Sequence, residues 1–441
     1  MKRLSTLVVT LLFIAGLVAC GSQPAAQAPT AAPTPTAPMA STAAPAPTAA
    51  PAPTVAPAPT AAPVAEALDA NLTEGCVTDY DPDVDYFPDK VTLSHSTAWK
   101  VEYFNNYKEV TVLKPYPGAT ETFRYILVQC GTPVPSDVGD AQVIEVPVKT
   151  VAALSTTQFA DLIRLGVLDR LVAVQNFKQI NSPEVLALVE AGKLKEIGGG
   201  HSEINVEAAL DLQPDLIMTF AGSDATEWDH PKLIEVGLKA VINSAWLEEE
   251  SLGRAEWIKY TSLFFNKEAE AERVFAEMEE RYTTMAEKAR AVANKPSVFT
   301  GFMYKGSWYV SGGKSYFARM LADAGADYLW ADNDTTGSPQ LSFEEVLERA
   351  QDADFWVNGS QFWTSASDVL KDDERYAQFA AFQNGHLYNN NLRLNATGGN
   401  DYWESGVANP DIILADLIKI FHPELLPDHE LVYYRQIKPE R

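Results

Sequence analysis

The stretch NVEAALDLQPDLIMTF, residues 205–220, decides how this chain folds. Asn205 can cap a short helix that runs through Leu212, and Pro214 breaks that helix. The run from Asp215 to Phe220 then has the composition of a buried strand. A helix followed directly by a strand in this way is typical of a layered α/β protein.

The same unit recurs towards the carboxyl end, as SFEEVLERAQDADFWV at residues 342–357. Ser342 and Glu345 form a capping box at the start of the second helix, and residues 355–357 are the strand that follows. Four positions correspond without gaps: Asn205 with Ser342, Glu207 with Glu344, Leu210 with Leu347, and Asp215 with Asp352. The repeat predicts two similar α/β lobes.

Upstream of the first unit, strand and helix patterns alternate. Three strands surround a helix at residues 159–165; they cover residues 143–148, 151–154 and 171–174. Such alternation predicts parallel sheets covered by helices. Earlier still, residues 110–113 and 123–128 have the pattern of a hairpin, which opens the folded body.

A long helical pattern from Leu252 to Ala293 lies between the two units, and Pro296 ends it. The fold class predicted is therefore α/β, with two Rossmann-like lobes of parallel sheets, one long connecting helix and a ligand cleft between the lobes. The expected boundaries are 67–251 for the amino-terminal lobe with its extra hairpin region, 252–294 for the connecting helix and 295–441 for the carboxyl-terminal lobe. A single stiff helix predicts that closure on a ligand is a small tilt.

The amino terminus has the pattern of a targeting segment. Residues 1–19 carry Lys2, Arg3 and an apolar core too short to span a bilayer comfortably, as in a signal peptide. Leu17-Val18-Ala19-Cys20 resembles a bacterial lipobox, so Cys20 is expected to be lipidated and to provide the membrane anchor. Residues 20–66, rich in Ala, Pro and Thr, then form a tether. These features predict a protein on the outer face of the cytoplasmic membrane, held there by its lipid alone.

The net charge limits the classes of partner, and the cysteine content limits the possible disulfides. The formal net charge of −25 argues against nucleic acid and against an anionic lipid surface. Once Cys20 is lipidated, Cys76 and Cys130 remain, and in an oxidising compartment they are either a disulfide or two buried thiols. A monomer without cofactor is expected.

Motifs of hydrolysis are missing from the sequence, which has neither Gly-x-Ser-x-Gly nor His-Glu-x-x-His. Gly313-Lys314-Ser315 fails as a phosphate-binding loop because Trp308 occupies the position of the first glycine. We therefore expect a binding protein and not an enzyme. A surface-anchored hydrolase with paired carboxylates and an adhesion lipoprotein remain the alternatives from other classes.

Together these segments resemble the helical-backbone class of substrate-binding proteins of ABC importers, which serve ferric siderophores, haem and cobalamin. The resemblance covers nearly everything from Val143 onward and rests on residues 151–174, 205–217, the connecting helix and the ending at 417–424. It implies that the protein captures an iron complex, with cobalamin or haem as alternatives, and delivers it to a membrane permease.

The resemblance also assigns a role to the repeated carboxylates. It implies that Glu207 and Glu344, each near a helix start, engage arginines of the permease. Without the resemblance, each could simply interact with the positive end of its helix dipole.

Ligands in two-lobed α/β proteins bind outside the carboxyl ends of the strands. The candidate ligand-binding residues therefore follow predicted strands: Thr156, Phe177 and His201 in the first lobe, and Tyr304, Trp308, Tyr309, Trp363, Arg393, Tyr402 and Trp403 in the second. The aromatic rings suit a large, flat or hydrophobic ligand, although each could belong to the core instead. Arg393 could bind a carboxylate or phosphate of the ligand. His201 has no histidine partner at zinc-like spacing, so no metal site is expected.

Overall fold

The structure, a computed structural model, describes residues 68–198, 204–220, 222 and 230–439. It opens with a four-stranded sheet of β1 (Trp99–Tyr103), β2 (Tyr107–Val112), β3 (Phe123–Gln129) and β4 (Gln142–Val146). The first three strands are antiparallel neighbours, and β4 pairs with β3 in parallel. The predicted hairpin is therefore present as β2 and β3.

A disulfide joins Cys76 to Cys130 across 54 residues of sequence. It fastens the segment that precedes β1 to the end of β3, where the amide of Val77 also donates to the carbonyl oxygen of Cys130 at 2.9 Å. The sequence left open whether these cysteines form a disulfide or remain two buried thiols, and the structure has the disulfide.

A five-stranded, fully parallel sheet forms the amino lobe, in the order β7-β6-β5-β8-β9. In chain order its elements are β5 (Val151–Ala153), α1 (Phe159–Arg164), β6 (Leu171–Val174), α2 (Pro183–Glu190), β7 (Lys195–Glu196), α3 (Val206–Leu212), β8 (Leu216–Thr219), α4 (His230–Glu235) and β9 (Ala240–Ile242). The three central strands, β6, β5 and β8, are apolar apart from Thr219, as is typical of a parallel sheet with both faces covered. Asn205 caps α3 as predicted, its side chain accepting from the amide of Ala208 at 3.0 Å.

The segment between the lobes differs from the single helix expected over residues 252–294. It forms three successive helices, α5 (Ser251–Ala255), α6 (Trp257–Ser262) and α7 (Glu268–Arg290). Every residue of α6 is buried, so this part runs through the core and not along the surface. Asn266, with φ of +56°, then interrupts the helical path before α7.

The carboxyl lobe contains a second five-stranded sheet, ordered β13-β10-β15-β16-β17, in which only β17 is antiparallel to its neighbour. Its elements are β10 (Ser297–Thr300), β11 (Met303–Tyr304), β12 (Ser307–Tyr309), α8 (Tyr316–Asp323), β13 (Asp327–Tyr328), β14 (Gln340–Leu341), α9 (Phe343–Ala350), β15 (Phe355–Val357), α10 (Ala366–Asp372), α11 (Ala380–Gln383), β16 (Leu387–Asn389), α12 (Asp401–Glu404), α13 (Pro410–Phe421) and β17 (Arg435–Ile437). Strands β11, β12 and β14 form a small antiparallel sheet of their own. The capping box of Ser342 and Glu345 is present as predicted.

The two lobes confirm the predicted α/β class with parallel sheets, and all described residues belong to one compact unit. Within the described ranges, no helix combines the length and the apolar character needed to cross a membrane. The predicted signal peptide, Cys20 and the tether lie outside the described residues.

Candidate ligand-binding cleft

The cleft lies where the carboxyl ends of the two parallel sheets face each other, as the topology rule requires. A first chamber of about 400 Å³ is lined by residues that follow β5, β8 and β9, including Ser155, Phe220 and Asn243. A second chamber of about 550 Å³ is lined by residues that follow β10, β15 and β16, including Phe302, Asn358 and Asn390. The two chambers share three side chains: Trp246, Arg254 and Trp403. We call these three residues the waist of the cleft.

Arg254, on α5, supplies the positive charge of the waist. Its Nε donates to the carbonyl oxygen of Glu248 at 3.1 Å and its Nη2 to that of Trp246. The guanidinium lies 3.5 Å from the ring centroid of Tyr316, so it is stacked as well as hydrogen-bonded. No carboxylate of the described residues forms an ion pair with it. Burial lowers the pKa of Arg254 from its ordinary value, and an anionic ligand group would relieve this desolvation cost.

Asp161, on α1, is the acidic group of the first chamber. The side chain is buried, and Thr261 donates its hydroxyl to Oδ2 at 2.9 Å. Burial raises the pKa of Asp161 to about 6, against a smaller opposing effect of the hydrogen bond from Thr261. This carboxyl is therefore protonated more readily than an exposed aspartate.

Two indoles of the waist are unusually accessible for tryptophan. Trp246 and Trp403 are 38% and 42% exposed, whereas Trp257, which also lines the first chamber, is buried. Trp403 stands on α12, which is fixed to the amino lobe because Glu404 accepts from the amides of Asn181 and Ser182, both at 2.7 Å. The helix that carries Trp403 is therefore fixed to the amino lobe, and the two accessible indoles suit recognition of a flat or apolar surface.

Asn358 directly follows β15, the central strand of the carboxyl lobe, and lines the second chamber. Its φ of +53° is a left-handed conformation that few residues other than glycine adopt. Strained backbone of this kind concentrates at ligand-binding sites. The loop that it starts, residues 358–361, forms one wall of the chamber.

Among the sequence-predicted ligand residues, Trp403 lies in the waist. Thr156 lies between two residues that line the first chamber, Ser155 and Thr157, without lining it itself. Phe177 begins a short helical turn after β6 in the amino lobe, and it lines neither chamber. His201 lies outside the described residues.

Several other predicted residues belong to the core. Trp308 is 0% exposed, donates its Nε1 to the carbonyl oxygen of Thr300 at 2.9 Å and packs against other rings of the carboxyl lobe. Trp363 and Tyr402 are also buried. The small and polar neighbours of Trp308 in the sequence form the tight β11–β12 turn.

Arg393 and the two tyrosines of the β11–β12 hairpin also lie outside both chambers. Arg393 pairs with Asp401 through Nη1 and Oδ2, 3.0 Å apart. Tyr309 is half-buried, and Tyr304 is exposed at the hairpin end. The charge expected from Arg393 is provided in the cleft by Arg254.

Sequence reasoning missed Trp246 and Arg254. Trp246 follows β9 closely, so the same rule of strand-following loops would have found it had β9 been recognised. Arg254 fell within the expected connecting helix, where its periodicity looked like that of any charged surface position. Its role is visible only once α5 is placed beside Tyr316.

The two repeated carboxylates occupy equivalent places. Glu207 and Glu344 are exposed, each at the second residue of its helix, α3 and α9. Glu344 has Arg375 at 3.7 Å. Both side chains are accessible to a partner, one on each lobe.

The fold and the cleft define a two-lobed solute-binding protein rather than an enzyme. Residues 151–390 match the periplasmic binding protein family, and this chain belongs to that family. An uncharacterised lipoprotein of Methanocaldococcus jannaschii is 30% identical over 68% of this chain and 73% of its own length. A second uncharacterised lipoprotein of that organism is 26% identical over 71% of this chain and 80% of its own length. A periplasmic binding protein from Veillonella parvula has a similar structure, with a TM-score of 0.51 and 14% identity over 71% of this chain and 98% of that one.

Membership of this family implies a small-molecule ligand and an ABC permease as partners. It also implies a location outside the cytoplasm.

Proposed function

We propose that the protein captures an anionic iron chelate of the siderophore kind in its cleft and delivers it to an ABC permease while anchored to the outer face of the membrane through Cys20. The observation that carries the proposal is the waist, where Arg254, without a carboxylate partner in the described part of the chain, lines both chambers together with the exposed indoles of Trp246 and Trp403. A cation that lines the same cavity as two accessible indoles favours a ligand that is both anionic and largely apolar. Haem, a planar ring with two carboxylates, fits the same chemistry and is the second candidate.

The direct test is thermal unfolding of the lipid-free protein, residues 21–441, with ferric trihydroxamate, ferric tris-catecholate, haemin and cobalamin. A ligand that binds only the native state stabilises it by about 2.7 kcal/mol at a hundredfold excess over its Kd. We expect a clear rise in Tm with an anionic iron chelate and none with the metal-free buffer. A panel without any shift contradicts the chelate proposal.

Arg254→Gln tests the part of the waist that selects charge. Loss of a charge-assisted hydrogen bond at a desolvated site costs about 1.5–3 kcal/mol, which corresponds to roughly a tenfold to hundredfold weaker Kd. Arg393→Gln is the matched control, because that arginine is already paired with Asp401 outside both chambers. Equal effects of the two substitutions on a fluorescence-quenching titration would show that Arg254 has no special role.

Permease docking is tested by replacing Glu207 and Glu344 together with Gln. The proposal predicts that uptake by cells carrying the double variant falls to background while the Kd for the chelate is unchanged, since neither side chain lines the cleft. Glu348→Gln, another exposed carboxylate of α9, is the control. Normal uptake by the double variant would mean that the two glutamates do not dock the permease and only interact with the dipoles of their helices.

A further inference from the structure

A second groove, of about 500 Å³, opens beside the second chamber of the cleft and shares Phe302, Ser360 and Phe362 with it. One side is the β11–β12 hairpin with Tyr304 and Lys305, and the other is the loop that carries Phe362. We call it the aromatic groove. Because the two cavities share lining residues, a ligand in the cleft can extend into the groove without leaving the protein surface.

Phe362 is 75% exposed, the highest value among the large hydrophobic side chains of the described residues. Tyr304, across the groove, is 52% exposed. Two large rings presented to solvent on opposite walls are costly for a protein that has nothing to bind there.

The loop under Phe362 is held rigidly. Asn389 donates its Nδ2 to the carbonyl oxygens of Ser360 and Trp363 at 2.9 and 3.1 Å, and Asn391 donates to those of Gln361 and Trp363 at 2.9 and 2.8 Å. Both amides are buried, and the Oδ1 atom of each lacks a hydrogen-bond partner in the described structure. The backbone on both sides of Phe362 is therefore fixed by buried side chains.

The groove is lined by two lysines and two aspartates, and the two kinds of charge differ in their partners within the protein. Lys305 and Lys371 form no ion pair with a carboxylate of the described residues, and Lys305 lies only over the Tyr304 ring, at 5.1 Å. The two carboxylates of the groove are already engaged: Asp368 accepts from the amides of Thr364 and Ser365, and Asp372 accepts from the indole of Trp363. Hydrogen bonds from the Thr364 backbone and from Ser365 lower the pKa of Asp368.

We propose that the aromatic groove is a second subsite, which receives an aromatic arm with an acidic group from the ligand held in the cleft. The Phe362 and Tyr304 rings would stack on the arm, and the lysines would neutralise its charge. This inference rests on the proposed function and adds a substrate class to it: chelates that carry an aryl acid.

The test uses 2-naphthoate, which contains the aryl ring and the carboxylate but no metal, in calorimetric titrations of residues 21–441. We expect binding that weakens about tenfold in Phe362→Ala, from loss of the ring contacts. Lys371→Gln should weaken naphthoate while leaving neutral 2-naphthalenemethanol unaffected. Phe104→Ala, an exposed ring on the β1–β2 turn, is the matched control and should change nothing.

Absence of naphthoate binding, or unchanged binding in Phe362→Ala, overturns the subsite. So does a loss in Arg254→Gln as large as in Phe362→Ala, because the probe would then occupy the cleft. If Phe362→Ala abolishes uptake by cells but leaves naphthoate affinity intact, the ring contacts the permease and the subsite is likewise refuted. Since the probe contains no metal, these outcomes are independent of whether any chelate of the panel binds.

Discussion

Asp161 links the cleft to the pH dependence of stability. Its pKa in the folded protein is raised by burial to about 6, from 3.8 for the unperturbed side chain. The folded state therefore binds this proton more tightly than the unfolded state does. The stabilisation from protonation is present in full below about pH 4 and is lost as the pH rises through about 6.

Asp161→Asn should remove this pH dependence. At about 1.4 kcal/mol per pKa unit, the variant gains roughly 3 kcal/mol over the parent between pH 4 and pH 8, because a neutral amide is cheaper to bury and still accepts from Thr261. Urea unfolding at a series of pH values measures the difference. Asp140→Asn, at a side chain that is 98% exposed, is the control. Parallel pH profiles for Asp161→Asn and the parent would contradict the assignment.

At the scale of elements, local signals in the sequence were reliable where a cap or a break fixes a boundary. Asn205, the Ser342–Glu345 box and the apolar run at residues 171–174 define α3, α9 and β6 with nearly the predicted bounds. The burial of individual side chains could not be predicted from such local signals, as Trp308 shows. Whether a ring faces a cleft or a core depends on which distant strands surround it, and periodicity does not contain that information.

The segment formed by α5, α6 and α7, which we call the connector, shows the same limit of prediction from sequence. Its helical period continues from Leu252 to Ala293, yet the chain breaks at Asn266 to satisfy tertiary contacts. Asn266 donates its Nδ2 to the carbonyl oxygen of Leu72 and to Oε1 of Gln129, at 2.7 and 2.8 Å, residues of the extra amino-terminal region. Such partners, far away in sequence, override a local helical preference.

A buried ion pair ties that extra region to α7. Lys108 of β2 and Glu268 at the start of α7 are both fully buried, 2.7 Å apart, and Lys108 also donates to the carbonyl oxygen of Leu263 and to Oδ1 of Asn266. Burial lowers the pKa of Lys108, opposed by the charge of Glu268. The main effect of the pair is therefore that each buried charged group has a partner, which allows the four-stranded sheet to pack against α7.

Lys108→Met should destabilise the protein by about 3–5 kcal/mol, because it leaves the Glu268 carboxylate buried without its cation. The double variant Lys108→Met/Glu268→Leu should recover part of this loss, and urea unfolding of all four forms of the cycle gives the coupling. Lys100→Met breaks the exposed pair with Glu102 and should cost less than about 1 kcal/mol. A similar small cost for Lys108→Met would mean that water reaches the pair.

For the whole molecule, the lobes are joined at a second place besides the connector. Residues 395–404, which we call the strap, leave the carboxyl lobe and bind residues 178–182 of the amino lobe. Asn395 donates its Nδ2 to the carbonyl oxygens of Lys178 and Ile180 at 3.0 and 2.9 Å, and buried Glu404 accepts from two amides of that segment. Two connections restrict lobe motion more than one helix does. The predicted small tilt on ligand binding therefore stays a prediction, now with a different physical basis.

Glu404→Ala should loosen the attachment of the strap to the amino lobe. The substitution leaves the amides of Asn181 and Ser182 without acceptors, at about 1–3 kcal/mol each, so the strap should detach for part of the time. Spin labels at Glu207→Cys and Glu344→Cys, one on each lobe, report the distance between the lobes by pulsed electron resonance in residues 21–441. We expect one narrow distance distribution in the parent, nearly unchanged by a chelate that raises Tm, and a broader distribution at longer distance in Glu404→Ala.

The control is Glu348→Ala, which removes an exposed carboxylate of α9 and should leave the distribution narrow. Because Trp403 precedes Glu404 on α12, detachment should also move one wall of the waist, so the chelate should bind Glu404→Ala more weakly and close it again. A parent protein that shifts widely on binding would mean that the strap detaches in the normal cycle. In that case the lobes would be joined by the connector and by contacts outside the strap, such as those of Arg164 with Ala408 and Asn409. Trp403 would then reach the ligand only when the lobes close.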